Sequence, residues 1–136
     1  MVIKLTKTET ENIFQTVLSE LKCIINEYDD DTGRCPSKKR IADGKYAESI
    51  MKQLEKCQSK IPNTDFINLD DIEECTLELD KRESSYIAKL LQKNIGELSK
   101  AILASGCKAP YTGVVKIFDD AITESQNILG KMAKSA

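Results

Sequence analysis

The sequence predicts an all-α fold: a four- or five-helix antiparallel bundle, stapled by disulfides, in a single domain over residues 1–136. Three observations predict it. Apolar residues recur at spacings of three and four along most of the chain, and no period-two alternation stands out. Short stretches rich in glycine, proline and aspartate separate the periodic segments. A chain of 136 residues also has the usual size of one domain, and it can bury enough surface for its own core.

The first predicted helix carries one apolar stripe, which runs from Ile13 to Tyr28 at helical spacing. Thr8 followed by Glu11 predicts a capping box at its start. Gly33 is the kind of residue that follows a helix end, so the helix is expected to stop before it.

The second predicted helix begins at Ser37 or Asp43, which are both good N-cap residues. Pro62 is expected to stop it, because proline lacks the N–H that a helix interior needs. A loop over residues 62–69 follows.

A third helical region is predicted from Asp70 to about Ser105. As one straight helix it would span ~54 Å, against ~33 Å for the first helix, and it would overhang its partner. A break is therefore expected in the stretch DKRESS, where Asp80 and Glu83 form a second capping box. Gly106 then ends the region as a glycine just beyond the helix.

The last predicted helix runs from Thr112, as its cap, to about Ala133. Its apolar residues again follow the helical period. No strand, internal repeat or low-complexity tract is predicted anywhere in the chain.

Five cysteines in a short chain favour a disulfide framework. In an up-down-up-down bundle, Cys57 and Cys75 fall near one end, and Cys23, Cys35 and Cys107 fall near the other. A Cys57–Cys75 bridge is the first expectation, followed about equally by Cys35–Cys107 and Cys23–Cys35. The alternative is that Cys57 and Cys75 are reduced core residues, since both lie within apolar stripes.

The acidic stretch DDDTG invites comparison with a calcium loop, but its spacing does not fit. With Asp29 in the first position, Gly33 comes one residue early and Arg40 stands where a glutamate ligand belongs. The cysteine intervals do not suit zinc, and the chain has no histidine to act as base or ligand. The sequence therefore predicts no metal, no cofactor, no catalytic residue and no enzymatic activity.

The remaining candidate for a functional site is a charged surface where the first predicted helix ends and the second begins. An acidic cluster precedes a basic cluster there. The possible interaction surface consists of Asp29, Asp30, Asp31, Lys38, Lys39 and Arg40. The basic cluster lies at a predicted helix N-terminus, where cations are disfavoured, which points weakly to an anionic protein partner. It is too narrow to predict nucleic-acid binding in a chain of net charge −2. No apolar run reaches the ~18 residues of a membrane span.

These features predict a non-enzymatic secreted helical binding protein that acts through protein–protein interaction. The architecture is similar to that of secreted helical binders such as cytokine-like bundles and invertebrate carrier or saliva proteins. Small residues at Gly96, Ala101 and Ala104 also leave room for a small apolar ligand. No apolar leader is visible at the N-terminus, so the secreted reading requires a mature form whose signal peptide is absent. The alternative is a reduced cytoplasmic adaptor or assembly subunit.

Overall fold

Four helices and two short strands make up the computed structural model, which describes residues 1–29, 31–57, 74–105 and 112–135. In chain order the elements are β1 (Val2–Leu5), α1 (Lys7–Asn26), α2 (Lys38–Glu55), β2 (Cys75–Glu78), α3 (Lys81–Ser105) and α4 (Thr112–Ser135). Most of these residues are helical, which confirms the predicted helical bundle. The predicted loop over residues 62–69, the stop at Pro62 and the helix end at Gly106 lie outside the described residues.

The expectation that the chain has no strand is wrong. β1 and β2 pair antiparallel, with Ile3 opposite Leu77 and Leu5 opposite Cys75. Each strand is four residues long and buries every second side chain. Alternation over so few residues is too short to separate from a helical pattern, and β2 falls inside the region predicted to be helical from Asp70.

Two capping boxes start the helices that follow the strands. The first joins Thr6 and Glu9, so the predicted pair of Thr8 and Glu11 is wrong by two residues. The second is the predicted one: the Glu83 backbone N–H donates to Asp80 Oδ1 at 2.7 Å, and the Asp80 N–H donates to Glu83 Oε1 at 3.1 Å. This box places the expected break between β2 and α3.

The chain contains an internal repeat, contrary to the sequence-based expectation. A shift of 74 positions carries β1 and α1 onto β2 and α3. It superposes Leu5 on Leu79, Lys7 on Lys81, Glu9 on Glu83 and Ile13 on Ile87, four identities in nine positions. We call β1, α1 and α2 the first half of the chain and β2, α3 and α4 the second half. The strand, the capping box and the buried helix face recur in the same order in both halves.

The second helix of each half repeats as well, with a shift of 78 positions. Fully or almost fully buried residues coincide in three pairs: Ala47 with Ser125, Ile50 with Ile128, and Leu54 with Met132.

Equivalent side chains also cover the outer edges of the two strands. Gln53 Nε2 donates to the Glu78 carbonyl oxygen at 2.9 Å, and Lys131 Nζ donates to the Lys4 carbonyl oxygen at 2.9 Å. The two halves are thus related by an approximate two-fold axis that passes through the pair formed by Ile3 and Leu77.

One hydrophobic core draws residues from all six elements. Its largest fully buried apolar side chains are Ile3, Ile13, Val17, Ile50, Leu54, Leu77, Ile87, Leu91 and Ile128. The predicted disulfide between Cys57 and Cys75 is formed, with a Cα–Cα distance of 5.5 Å. It connects the chain just after α2 to β2, at the end of the bundle that carries the sheet.

A buried carboxylate, Glu9, joins the two halves through an ion pair with Lys131. Its side chain is 5% exposed and also accepts a hydrogen bond from the Thr6 N–H. Burial alone raises the pKa of Glu9, but the hydrogen bond from Lys131 and those from Thr6 outweigh it, and the pKa is lowered overall.

Replacing Lys131 with methionine removes the ion pair with Glu9 and should lower the free energy of unfolding by about 1 kcal/mol at pH 7. The loss is this small because Lys131 is partly exposed, and water weakens the ion pair. A carboxyl whose folded-state pKa is depressed stabilises the fold above its unfolded pKa of about 4.3, and the effect is lost as the pH falls through the folded value. The deficit of the variant should therefore shrink at pH 3.5. Urea unfolding at both pH values measures it, with the exposed Lys134→Met as the control; an equal deficit at both would contradict the pairing.

Candidate functional site

Two grooves on the surface are related by the approximate two-fold axis. One lies between α1, α3 and α4 and has a volume of about 590 Å³. The other lies between α1, α2 and α3 and has a volume of about 500 Å³. On α3 the second groove is lined by Arg82, Ser85, Tyr86, Lys89, Leu90 and Lys93. On α1 the first groove is lined by Thr8, Glu11, Asn12, Gln15, Thr16, Ser19, Glu20 and Cys23. The shift of 74 positions carries the first six of these α1 residues onto the α3 residues of the second groove.

The two grooves have opposite charge. We call the first the acidic groove, since Lys93 is its one cation among the carboxylates Glu11, Glu20, Glu97, Asp120 and Glu124. We call the second the basic groove. Its cations are Lys39, Arg40, Arg82, Lys89 and Lys93, and its carboxylates are Glu20 and Asp43. The two halves thus share one arrangement of elements and differ in surface charge.

Polar contacts tie the walls of the acidic groove together. The Asn12 amide donates to the Ala121 carbonyl oxygen at 3.1 Å and to Ser125 Oγ at 3.2 Å, joining α1 to α4. Burial raises the pKa of Glu124 despite the hydrogen bond from Asn12, and the nearby charge of Asp120 raises it further. The Asn12 amide is therefore already bonded within the protein.

One cation of the basic groove, Arg40, is structural. It pairs with Glu20, lies 3.2 Å from Glu27 through Nε and lies 3.5 Å from Asp43 through Nη1. Burial lowers the pKa of Arg40, but the hydrogen bonds to Glu20 and Glu27 outweigh it and raise the pKa further above its usual value. This permanently charged network fastens the start of α2 to α1, so it holds one wall of the basic groove in place.

The other cations of the basic groove are available. Lys39, Arg82 and Lys89 are exposed and have no ion pair or side-chain hydrogen bond within the described residues. Lys93 Nζ lies 4.0 Å from Oε1 of Glu97, one helical turn away. Both side chains are largely exposed, so this ion pair is weak. Lys39 and Arg82 also stand in the first turn of their helices, where the helix dipole disfavours a cation. An anionic ligand would form ion pairs with these cations and would offset their unfavourable interaction with the helix dipole.

An aromatic pair forms the inner wall of the basic groove. The ring centroids of Tyr46 and Tyr86 are 5.9 Å apart, with the planes tilted by 43°. The Tyr86 hydroxyl is buried and has no hydrogen-bond partner in the part of the chain that the structure describes. Burial raises the pKa of Tyr86, and the charges of Glu20 and Asp43 raise it further, so the hydroxyl stays protonated.

The structure places the residues of the charged surface predicted from the sequence in different parts of the protein surface. Lys39 and Arg40 line the basic groove, whereas Lys38 is exposed outside its lining. Asp29 and Asp31 form an exposed turn in which the Asp31 N–H donates to Asp29 Oδ1 at 3.0 Å. Hydrogen bonds from Thr32 and then Asp31 lower the pKa of Asp29, as in a solvated turn. Asp30 lies outside the described residues.

The sequence analysis did not identify the cations that α3 contributes to the basic groove. Arg82, Lys89 and Lys93 are separated by seven and four residues, which places them within about 40° of each other around a helix at 100° per residue. That spacing was visible in the sequence, but the two tyrosines that accompany it come from different helices, and only the packing of α2 against α3 brings them together.

Two cysteines outside the disulfide are described, and both are free and exposed: Cys23 and Cys35. The expected Cys23–Cys35 bridge is therefore wrong. The expected Cys35–Cys107 bridge involves Cys107, which lies outside the described residues. Near Cys23 and Cys35, Arg40 and its carboxylates Glu20 and Glu27 connect α2 to α1.

Comparison with known proteins adds no relative: no protein-family model, curated protein or solved structure matches the chain. Within the described ranges, no group of three or more His, Cys, Asp or Glu side chains is arranged to hold a metal ion. No helix of the described part of the chain is long and apolar enough to cross a membrane.

Proposed function

We propose that this is a non-enzymatic binding protein that acts through protein–protein interaction, and that its basic groove binds an acidic segment of the partner. The observation that carries the proposal is the set of unpaired cations Lys39, Arg82 and Lys89 beside one groove, in a chain whose net charge is −2. Cations that line a concave surface focus their field toward an anionic ligand and raise its rate of association.

The lining of the groove favours a charged protein segment over a small apolar ligand. Five cations share its lining with the apolar surface of Leu90 and the two tyrosines Tyr46 and Tyr86. Tyrosine and arginine are the residue types that are enriched at protein–protein interfaces. Carriage of an apolar ligand is a weaker proposal, because charged side chains line both grooves.

We further propose that the protein is secreted. The Cys57–Cys75 disulfide supports this, since such bonds persist in oxidising compartments. The exposed free thiols of Cys23 and Cys35 favour the alternative, a reduced cytoplasmic adaptor or assembly subunit, because secreted proteins usually pair their cysteines. Alkylation of the protein isolated from its native source, followed by intact mass measurement, decides between them. Two protected thiols support the secreted form, and complete alkylation supports the adaptor.

The binding proposal is tested with a labelled glutamate-rich peptide and fluorescence anisotropy. The double charge reversal Arg82→Glu and Lys89→Glu should weaken binding at least tenfold, and binding by the parent protein should weaken as salt rises. The matched control reverses Lys52 and Lys134, which are exposed outside both grooves, and it should keep the affinity of the parent. Equal loss in both double variants would mean that the peptide responds to net charge alone, and the groove would not be its site.

A further inference from the structure

We infer that the segment bound in the basic groove is an acidic α-helix, whose carboxylates pair in register with Arg82, Lys89 and Lys93. This inference rests on the proposed function and goes beyond it by fixing the secondary structure and the side-chain spacing of the partner. Three features carry it: the spacing of the cations, the apolar strip beside them and the helical walls of the groove.

The spacing of the cations fits a helix and not an extended strand. Arg82 is about 10.5 Å from Lys89 and about 16 Å from Lys93 along the axis of α3, at 1.5 Å per residue. A partner helix lying along α3 repeats these distances with acidic residues at positions i, i+7 and i+11, which all fall on one face. An extended strand covers the same distances in about three and about five residues. Both separations are odd, so the second and third carboxylates would point away from the face of the first.

The apolar strip gives the partner helix a second row of contacts. Leu90 lines the groove beside the cations of α3, and the rings of Tyr46 from α2 and Tyr86 from α3 line it as well and pack against each other. A helix that places leucine or methionine beside its glutamates would bury them against this strip, the usual mode of helix-in-groove recognition. Ion pairs would then flank an apolar seam, as they do between the helices of a coiled coil.

The same features argue against a nucleic acid as the occupant. Single-stranded nucleic acid is bound by aromatic rings that offer free faces to the bases. Here Tyr46 and Tyr86 pack against each other, and the Tyr86 hydroxyl is buried. Arg82, Lys89 and Lys93 lie in a single row along one face of α3, which matches a row of carboxylates on a second helix.

The test uses the full-length oxidised protein and three labelled peptides of about 18 residues. The first has glutamates at i, i+7 and i+11 with leucines on the adjoining face; the second is the same composition with the glutamates distributed around the helix; the third is the first with a central proline. The first peptide should bind at least tenfold more tightly than the other two and should gain helical circular dichroism on binding. In the Arg82→Glu, Lys89→Glu variant the three affinities should become equally weak.

Each other result overturns a defined part of the argument. If all three peptides bind the parent protein equally and the charge reversal still weakens them, the groove binds acidic segments but the helical inference is wrong. If none binds, the proposed function fails together with the inference. If an oligothymidylate of equal charge binds more tightly than the first peptide, the occupant is a nucleic acid and both proposals are overturned. The Tyr46→Ala variant supplies an independent check, since it should weaken the first peptide and leave the second unchanged.

Discussion

Removing the Cys57–Cys75 disulfide, by the double substitution Cys57→Ala and Cys75→Ala, should lower the free energy of unfolding by about 3 kcal/mol. The bond closes a loop with a sequence separation of 18, and its main effect is to restrict the unfolded chain. Alanine keeps the apolar character that the buried position of Cys75 requires. The melting temperature should fall by roughly 10 °C, which differential scanning calorimetry measures directly.

The matched control removes the other two described thiols, with Cys23→Ala and Cys35→Ala. Both side chains are exposed and free, so this variant should stay within about 0.5 kcal/mol of the parent. A reducing agent should destabilise the parent and the control equally and leave the Cys57→Ala, Cys75→Ala variant unchanged. Insensitivity of the parent to reduction would show that the bond contributes nothing to the folded state, and the support for a secreted protein would be lost.

The bond also bears on the basic groove. It anchors the chain after α2 to β2, while Arg40 fastens the start of the same helix to α1. The wall of the groove that carries Tyr46 is therefore held at both ends. Reduction should consequently weaken peptide binding as well as stability, since a loosened α2 no longer presents a fixed surface to the partner.

The disulfide could be predicted from the sequence because it depends on the order of the elements alone. In any antiparallel bundle with these helices, Cys57 and Cys75 come to the same end. The bridges expected for Cys23 and Cys35 required the direction of individual side chains on the surface, which helical periodicity does not determine. The Asp80–Glu83 capping box is predictable for the same reason as the first bridge, since both of its halves are local.

The two strands and the internal repeat were harder to recognise because tertiary pairing defines them. A four-residue segment such as VIKL does not form a stable strand alone, and only its pairing with CTLE across the two-fold axis makes it one. The repeat is hidden by the change of shift from 74 to 78 positions between the first and second helices of each half. Its identities are few, and its clearest signs are equivalent contacts, such as those of Gln53 and Lys131 with the strand edges.

The basic groove shows the same limit at the functional site. Lys39 and Arg40 were identified from the sequence as one charged cluster, but the structure gives them different tasks: Arg40 holds α2 in place, and Lys39 is free for a ligand. The sequence shows which residues are charged. The packing of the helices decides which charges are already neutralised.

The approximate two-fold symmetry predicts that equivalent substitutions in the two halves of the core lower the free energy of unfolding by similar amounts. Ile50 and Ile128 are equivalent under the shift of 78 positions, and both are 0% exposed. Replacing either with alanine removes the same buried groups and leaves a cavity, so each variant should lose about 3 kcal/mol. The two losses should agree to within about 1 kcal/mol, because the two isoleucines occupy equivalent and fully buried positions in the two halves of the core.

Urea unfolding of the two single variants measures these losses, and Ile117→Ala is the control, since Ile117 is 66% exposed and should cost less than about 0.5 kcal/mol. A full loss at Ile50 with little loss at Ile128 would mean that α4 is not an integral part of the core, and the two halves would then not be structural equivalents. If the losses are equal and the slope of the unfolding free energy against urea concentration is unchanged, both halves unfold in one transition. The opposite charges of the two grooves would then be a difference between two copies of one stable framework, which leaves the surface of each copy free to change without loss of the fold.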